Sequence, residues 1–357
     1  MTRPAGTSDL SPAGLGPDAV ARYDPSGMTG DVLDQPGQLE DALWRVASAS
    51  LPRDPAPGGL VVCGMGGSGV GADLAAGILG PDLRRPLVAV RGYALPAWVG
   101  PDHLVLASSY SGHTEEVLAC FEAAGRAGAR RVALTTGGRL AEAARAEGVP
   151  VVGVPSGLQP RAAVAYATVG ALECAAACGA APARAGEVED AAALLEGLAA
   201  EWGPEGPEDG EAKRLARALR GTHPIVFGAE ATAPVARRWK TQLNENAKLF
   251  SAAAELPESD HNEVCAWDPD RLAAPLGAVL LEDPGSHPRV VRRLGLTAEA
   301  LGAGARALER VTAPGVNRTE RVLALVLLGD LVSVYLALLD GIDPTPVVAI
   351  QRLKAAL

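Results

Sequence analysis

The sequence predicts an α/β protein made of two domains, each with a mainly parallel sheet that helices flank on both faces. Three observations lead to this fold class. The chain has 357 residues, which is long for a single domain. Short apolar runs rich in valine recur along it, and stretches rich in alanine and leucine with helical spacing lie between several of them. Apolar strands that alternate with helices are typical of parallel sheets covered on both faces.

The first series of strands lies within residues 46–190, which we expect to be one domain. Apolar runs predict strands at residues 60–63, 87–90, 104–107, 132–134 and 151–154, and helical spacing predicts helices that include residues 73–79 and 115–124. Residues 1–45 combine a start rich in glycine and proline with a helix-like run. They predict an N-terminal arm.

A second series follows a predicted connector at residues 191–210, which ends in the turn-rich segment WGPEGPEDG. The second domain, residues 211–357, has predicted strands at 224–227, 278–281 and 308–312 and predicted helices at 232–250, 287–301, 319–339 and 347–357. The same plan therefore occurs twice, although no repeat is visible at the level of single residues.

Composition and charge exclude several kinds of partner. The net charge of -10 and the isoelectric point near 5.1 leave no basic surface of the kind that nucleic acids require. The first residues contain no apolar stretch of the length that a secretory signal needs. The apolar segment 322–339 is interrupted by Gly329 and Asp330, which favours a buried helix over a membrane span. We expect a cytoplasmic protein without a nucleic-acid or membrane partner.

The cysteines predict neither a disulfide framework nor a zinc site, because they form an odd set without a CxxC pair. We expect no metal site, and we expect all five to be small buried residues. They are Cys63, Cys120, Cys174, Cys178 and Cys265.

A glycine loop follows the first predicted strand in LVVCGMGGSGVGADLAAGIL, where Gly64, Gly66 and Gly69 have the GxGxxG spacing of dinucleotide-binding folds. Such a site also needs an acidic residue at the end of the next strand, which here ends at Arg91. The loop can instead present N–H groups and Ser68 to an anion, such as a monophosphate, at a helix N-terminus. A tight turn capped by Ser68 is the alternative.

Three hydroxyl residues, Ser109, Ser111 and Thr114, lie in the turn between the strand at 104–107 and the next helix. One hydroxyl would be enough to cap that helix. Ligands of open α/β sheets bind at the carboxyl ends of the strands, so this turn and the glycine loop can converge on one phosphate. Helix capping alone is the alternative that these residues leave open.

The two segments GMGGSG and SSYSGHTEE together resemble the sugar-isomerase (SIS) domains that bind sugar phosphates. In that family the Ser-x-Ser-Gly-x-Thr loop holds the phosphate. The resemblance implies that the three hydroxyl side chains hold the phosphate of a hexose 6-phosphate, helped by Gly67 and Ser68. His113 stands where members usually carry asparagine, a change that we expect to be tolerated because it lies between the contacting residues.

The second half resembles one branch of this family, the bifunctional phosphoglucose/phosphomannose isomerases. The segment RRWKTQLNENAKLFSAAAELPESDHNEV closely matches them, and the similarity continues in GLQPRAAVAY and in the C-terminal DPTPVVAIQRLK. The resemblance covers nearly the whole chain beyond the arm. It implies an enzyme that interconverts glucose 6-phosphate, and also mannose 6-phosphate, with fructose 6-phosphate, and that needs no metal or other cofactor.

Isomerisation of an aldose to a ketose needs a base, a cation beside the enediolate and an acid that opens the sugar ring. The resemblance assigns the base to Glu245, the cation to Arg161 and the ring opening to His261 with Lys354. In the family this histidine reaches the active site of the neighbouring subunit. The resemblance therefore also implies a homodimer.

Each of these residues also has a structural interpretation. Glu245 lies opposite the apolar stripe of the predicted helix 232–250, together with Arg238, and such a face is ordinarily solvated. His261 suits a surface loop, Arg161 suits an ion pair and Lys354 suits a solvated helix. The resemblance favours the catalytic interpretation and predicts that the polar face of the helix meets the substrate cleft.

One departure from the family pattern bears on the mannose activity. Members carry a hydroxyl residue seven positions before the C-terminal lysine, and it is linked to that activity. Val347 has this spacing here, with Thr345 nearby. The departure bears on the mannose activity and not on the glucose activity.

The sequence also bears on three other functions that this fold can have. A non-catalytic SIS module that senses a sugar phosphate is the main alternative, although no basic helix-turn-helix segment accompanies the domains. A glucosamine 6-phosphate synthase needs a glutaminase domain with an N-terminal cysteine, but the first cysteine is Cys63. A nicotinamide dehydrogenase is disfavoured because the acidic residue after the glycine loop is missing.

Overall fold

Two parallel sheets of five and four strands form the frame of the protein. The computed structural model describes residues 14–271 and 274–356. Helices pack around both sheets, and the two sheets share one large cluster of buried apolar side chains. The predicted α/β fold with two mainly parallel sheets is confirmed.

The described part of the arm contains three helices: α1 (Pro17–Tyr23), α2 (Met28–Leu33) and α3 (Gln35–Ser48). Helix α3 has an apolar stripe of Leu39, Ala42 and Val46 that is fully buried against the rest of the protein. It therefore continues past residue 45, where the sequence predicted the arm to end.

The first sheet has the strand order β2-β1-β3-β4-β5, and all neighbouring strands are parallel. Its strands are β1 (Gly59–Gly64), β2 (Leu87–Val90), β3 (His103–Ser108), β4 (Arg130–Thr135) and β5 (Val151–Gly153). The helices of this region are α4 (Gly66–Leu79), α5 (Glu115–Arg126), α6 (Gly138–Ala146) and α7 (Val164–Ala177). The central strands β1 and β3 pair up to their last residues, so the loops that follow them leave from the same edge.

Two helices, α8 (Ala185–Trp202) and α9 (Glu211–Leu219), join the halves. The predicted connector at 191–210 is therefore helical as far as Trp202, because Leu195, Leu198 and Trp202 are buried. Only the turn-rich residues 203–210 are a true connecting loop.

The second sheet has the order β7-β6-β8-β9 and is also parallel throughout. Its strands are β6 (His223–Ala229), β7 (Ala252–Leu256), β8 (Leu276–Glu282) and β9 (Ala307–Thr312). Its helices are α10 (Ala233–Glu245), α11 (Pro288–Gly302), α12 (Arg318–Leu339) and α13 (Val348–Ala355). The edge strand β7 was not predicted from the sequence.

Helix α12 is the central helix of the protein. It is long and apolar enough to cross a membrane, but its whole apolar stretch is buried inside the protein, where it packs against α8, α9 and α10. Asn317 caps its first turn by accepting the Glu320 N–H. The prediction of a buried core helix is confirmed.

Four of the five cysteines are buried, and all five are free thiols. The expectation that all are buried is wrong for Cys265, which is exposed. It lies in a short 3₁₀ segment, Glu263–Ala266, in which no residue is fully buried.

Candidate active site

The glycine loop and the hydroxyl loop lie side by side at the carboxyl edge of the first sheet. The Tyr110 N–H donates to Ser68 Oγ at 3.3 Å, which joins the two loops directly. Within the hydroxyl loop, Ser109 Oγ lies 2.8 Å from Thr114 Oγ1. The structure thus brings these hydroxyls to the edge where open α/β sheets bind their ligands.

The hydroxyl groups are not used as helix caps. Thr114 is the N-cap residue of α5, but its side chain makes no capping hydrogen bond. Helix α4 has Met65 at its N-cap, and Ser68 lies inside its first turn. The two capping interpretations are therefore not supported, because neither hydroxyl satisfies a free N–H of its own helix.

Burial differs among the hydroxyl groups. Ser68 and Ser109 are buried, whereas Ser111 is exposed and accepts the His113 N–H at 3.2 Å. The Gly112 N–H donates to Ser109 Oγ at 3.1 Å and holds the turn closed. The loop is therefore ordered by its own hydrogen bonds and keeps one hydroxyl towards solvent.

Gly67 connects the glycine loop to Arg161. A Cβ atom at residue 67 would lie 2.6 Å from the carbonyl oxygen of Pro160 and 3.1 Å from Cα of Arg161. No side chain fits there without moving backbone, so this position requires glycine. The close approach places the start of α4 against the segment that carries the predicted cation.

Arg161 is buried and is held by several acceptors. Its Nε donates to Asn246 Oδ1 at 2.7 Å, and its Nη2 donates to the carbonyl oxygens of Pro344 at 2.9 Å and Thr345 at 2.8 Å. Its Nη1 lies 3.7 Å from Glu245 Oε2. Burial lowers the pKa of the guanidinium, and the nearby Glu245 carboxylate opposes that shift.

Glu245 is the last residue of α10, and its side chain is 27% exposed beside the nearly inaccessible Arg161. The predicted helix 232–250 is therefore too long. Lys248 follows with a positive φ of 54° and donates from Nζ to the Glu245 carbonyl at 2.6 Å, which satisfies a free acceptor at the helix end. Burial lowers the pKa of Lys248, and the charge of Arg161 adds to the shift.

His261 and Lys354 are not bonded to this cluster within the described part of one chain. His261 ends the 3₁₀ segment Glu258–His261, Lys354 lies on α13, and both are exposed. In the part of the chain that the structure describes, neither makes a hydrogen bond or ion pair with another predicted site residue. One chain therefore brings together two of the four predicted catalytic residues, Arg161 and Glu245, next to the predicted phosphate loops.

Three buried residues support the site without having been predicted for it. The helix pattern placed Arg238 on a solvated face, but Arg238 is fully buried. It is paired with Asp330 through hydrogen bonds of 3.1 and 2.7 Å. It also donates to the Arg161 carbonyl at 2.6 Å. Asn246 completes the set. The signal for Asp330 was in the sequence, because a carboxylate inside an apolar helix needs a buried partner.

The arrangement can bind an anionic group and move a proton next to it. The paired loops offer hydroxyl and N–H donors to an anionic group, and the buried cation lies beside a partly exposed carboxylate. Such a carboxylate can take a proton from carbon next to a carbonyl, while the cation stabilises the oxygen that becomes negative. Among residues 14–271 and 274–356, no group of three or more His, Cys, Asp or Glu side chains is placed to hold a metal ion.

Comparisons with known proteins identify relatives of the chain. Residues 208–357 match the model of the bacterial phospho-glucose isomerase C-terminal SIS domain. A bifunctional phosphoglucose/phosphomannose isomerase from Caldicellulosiruptor bescii is 36% identical over 84% of this chain and 89% of its own length. The enzyme of the same name from Aquifex aeolicus is 36% identical over 84% and 90%.

A solved structure shares the complete fold. A glucose-6-phosphate isomerase like protein from Thermus thermophilus superposes with a TM-score of 0.64 at 23% identity, over 96% of this chain and 99% of that one. This likeness extends the shared architecture to both sheets.

Proposed function

The chain belongs to the family of bifunctional phosphoglucose/phosphomannose isomerases, and on that premise we propose that it interconverts glucose 6-phosphate and fructose 6-phosphate through a cis-enediolate. Membership of the family makes it a sugar-phosphate isomerase. The observation that carries the proposed mechanism is the pair of Arg161 and Glu245, 3.7 Å apart and packed against the predicted phosphate loops.

The phosphate group is the anchor in this proposal. Ser109, Ser111 and Thr114 bind it, with Gly67 and Ser68 at the N-terminus of α4. The support is their placement on one sheet edge and the solvent-exposed hydroxyl of Ser111. An anchored phosphate fixes the distance from C6 to the reacting carbons, so the second half of the chain can act on C1 and C2.

Glu245 is the base that moves the proton. It removes the C2 proton of the open-chain aldose and returns it to C1, and it works in the opposite direction for the ketose. The distance of 3.7 Å from Arg161 Nη1 is too long for a hydrogen bond, so the carboxylate is not tied down by its neighbour. Arg161 stabilises the negative charge of the enediolate, and no metal is needed for that step.

Ring opening needs an acid and a base beside the ring oxygen and the C1 hydroxyl. We assign this role to Lys354 and to His261 of a second copy in a homodimer. Both side chains are exposed and free of the cluster that one chain builds, which suits groups that meet substrate only in the assembly. A cytoplasmic location remains the prediction from the sequence.

Each half of the chain has its own task in this scheme. Residues 46–190 supply the phosphate loops and Arg161, and residues 211–357 supply Glu245, His261 and Lys354. The N-terminal arm at 1–45 has no proposed part in the chemistry.

Mannose 6-phosphate is the second proposed substrate. Glucose and mannose 6-phosphates differ only at C2 and give the same enediol skeleton, so a site that lets the C2–C3 bond rotate can protonate either face. Val347 has no hydroxyl, but the carbonyl of Thr345 accepts a hydrogen bond from Arg161. Thr345 Oγ1 is buried and makes no hydrogen bond within the described part of the chain. Thr345 is thus a hydroxyl residue whose backbone is bonded directly to the proposed catalytic cation.

The experiment is NMR of fructose 6-phosphate mixed with the purified protein in D₂O and EDTA. We expect glucose 6-phosphate with deuterium at C2, because a carboxylate exchanges its proton with solvent, and a smaller signal of mannose 6-phosphate. Binding without conversion would favour the non-catalytic alternative. Activity that disappears in EDTA would contradict the metal-independent mechanism.

A further inference from the structure

The guanidinium of Arg161 is held by one edge and leaves the other free. An arginine side chain has five N–H donors. Nε is bonded to Asn246, and both hydrogens of Nη2 go to the carbonyls of Pro344 and Thr345. The nearest acceptor to Nη1 is Glu245 Oε2 at 3.7 Å, beyond hydrogen-bond distance. Nη1 is therefore the nitrogen that can donate to a substrate oxygen.

All three groups that anchor Arg161 are electrically neutral. Two are backbone carbonyls, and the third is the amide of Asn246, which has no exposed surface. A carboxylate at the same place would form a charge-assisted bond and cancel much of the field of the guanidinium in a buried, weakly screened setting. The neutral anchors leave that field available on the Nη1 side.

Asn246 has only one possible orientation in this network. Its Nδ2 donates to Ser333 Oγ at 2.9 Å, and the Ser333 hydroxyl donates to the Asp330 carbonyl at 2.7 Å. Because Ser333 uses its proton on helix α12, it can only accept from Asn246. The amide oxygen must then face Arg161, and a rigid core helix sets the angle of the guanidinium.

We propose that Asn246 is a positioning residue, which aims Arg161 Nη1 at the substrate and, being neutral, adds no further negative charge beside the guanidinium that stabilises the enediolate. This inference rests on the proposed function. It assigns a role to a side chain next to the base that touches no substrate itself. The guanidinium matters most in the transition state, where negative charge develops on the substrate. A change that weakens its electrostatic field should therefore lower kcat more than it changes KM.

Asn246→Asp is the decisive variant, because it keeps the shape and the acceptor towards Arg161, loses the amide donor to Ser333 and adds a negative charge. We expect kcat to fall at least about 10-fold, below the roughly 10²- to 10³-fold cost of removing a direct donor, with KM for fructose 6-phosphate changed less than about threefold. Binding of 5-phosphoarabinonate, whose carboxylate resembles the enediolate, should weaken by a similar factor as kcat. Asn244→Asp is the matched control, since Asn244 bonds Ser251 and not Arg161.

The outcomes separate this inference from the proposed function. Wild-type protein without isomerase activity would refute the proposed function. Active wild type together with an Asn246→Asp variant of unchanged kcat and unchanged affinity for 5-phosphoarabinonate would refute the role of Asn246. If Asn246→Asp fails to fold, Ser333→Ala decides, because it removes the acceptor that orients the Asn246 amide, together with one hydroxyl bond to the Asp330 carbonyl, and adds no charge. A reduced kcat in that variant supports the proposal, and a wild-type kcat overturns it.

Discussion

Arg293 holds Asp260, the residue immediately before His261, with Nη1 3.0 Å from Asp260 Oδ2. Thr297 Oγ1 donates to the other carboxylate oxygen at 2.7 Å. Both donors lie on helix α11, so one carboxylate fastens the 3₁₀ segment Glu258–His261 to a regular element. The backbone that carries the exposed imidazole is thereby anchored to helix α11, although the segment itself is at the surface.

We expect Asp260→Ala to lower kcat/KM for fructose 6-phosphate by about 10-fold, less than the roughly 10²-fold that a misplaced catalytic group can cost. The substrate is mostly cyclic, so the ring opening proposed for His261 should limit the variant. Steady-state rates measure the effect, and Asp268→Ala is the control because Asp268 pairs with the exposed Arg271. A wild-type rate for Asp260→Ala would show that the clamp has no part in presenting His261.

Replacing the proposed base gives the most direct prediction. Glu245→Gln keeps the size of the side chain but cannot accept the C2 proton, so kcat should fall by about 10²- to 10⁴-fold. KM should change little, because the phosphate loops are untouched. The matched control is Glu255→Gln, which removes an exposed carboxylate on β7. Full activity of Glu245→Gln would refute the assignment of the base.

The buried pair of Arg238 and Asp330 should dominate the stability of this region. Both side chains are inaccessible to solvent, so Arg238→Met leaves an unpaired buried carboxylate and should cost about 3 to 5 kcal/mol in the free energy of unfolding. Adding Asp330→Leu should restore much of this loss, because the buried carboxylate that lost its partner is then removed as well. Urea denaturation of the single and double variants measures both effects.

The neighbouring Arg237 provides the control for that cycle. Its pair with Glu255 is about half exposed at both ends, so Arg237→Met should cost at most about 1 kcal/mol. Equal losses for Arg237→Met and Arg238→Met would mean that burial does not set the cost of breaking these pairs.

The sheets could be predicted because most strands are apolar runs between helices. Strand β7 could not, because its sequence AAAEL contains no β-branched or aromatic residue and is a strand only through pairing with β6. The end of α10 was also missed. Nothing local stops a helix at NENAKLF, and the stop comes from Lys248 bonding carbonyls of residues 245 and 344.

The candidate site shows the same limit. The hydroxyl and glycine loops are local motifs, so their place at the end of strands follows from the sequence. Arg161 bonds Asn246, which is 85 positions away in the sequence, and Pro344, which is more than 180 positions away. Hydrophobic periodicity carries no information about contacts between residues so far apart in the sequence. The roles of Arg161, Glu245, His261 and Lys354 came from family resemblance and stay predictions. Of these four, the structure adds the Arg161–Glu245 pair.

The dependence of stability on pH can be tested at Glu173. This half-buried residue on α7 has Oε1 inaccessible and without a hydrogen-bond partner in the described part of the chain. Burial raises its pKa, and the charge of Arg53 only opposes the shift. The folded state therefore holds this proton to higher pH than the unfolded state does. Its contribution to stability is complete below the unfolded value of about 4.3 and is lost as pH rises through the folded pKa.

Glu173→Gln removes the ionisation and should raise the midpoint of thermal unfolding at pH 8. The gain should shrink as the pH is lowered and vanish near pH 4, where the wild-type carboxyl is protonated in both states. Glu40 lines the same surface cleft as Glu173 but is exposed. Glu40→Gln is therefore the control, and the midpoint should not rise at pH 8 relative to pH 4 in this variant. A Glu173→Gln variant no more stable than wild type at pH 8 would mean that the carboxylate gains compensation on folding, since an uncompensated buried charge must destabilise the native state.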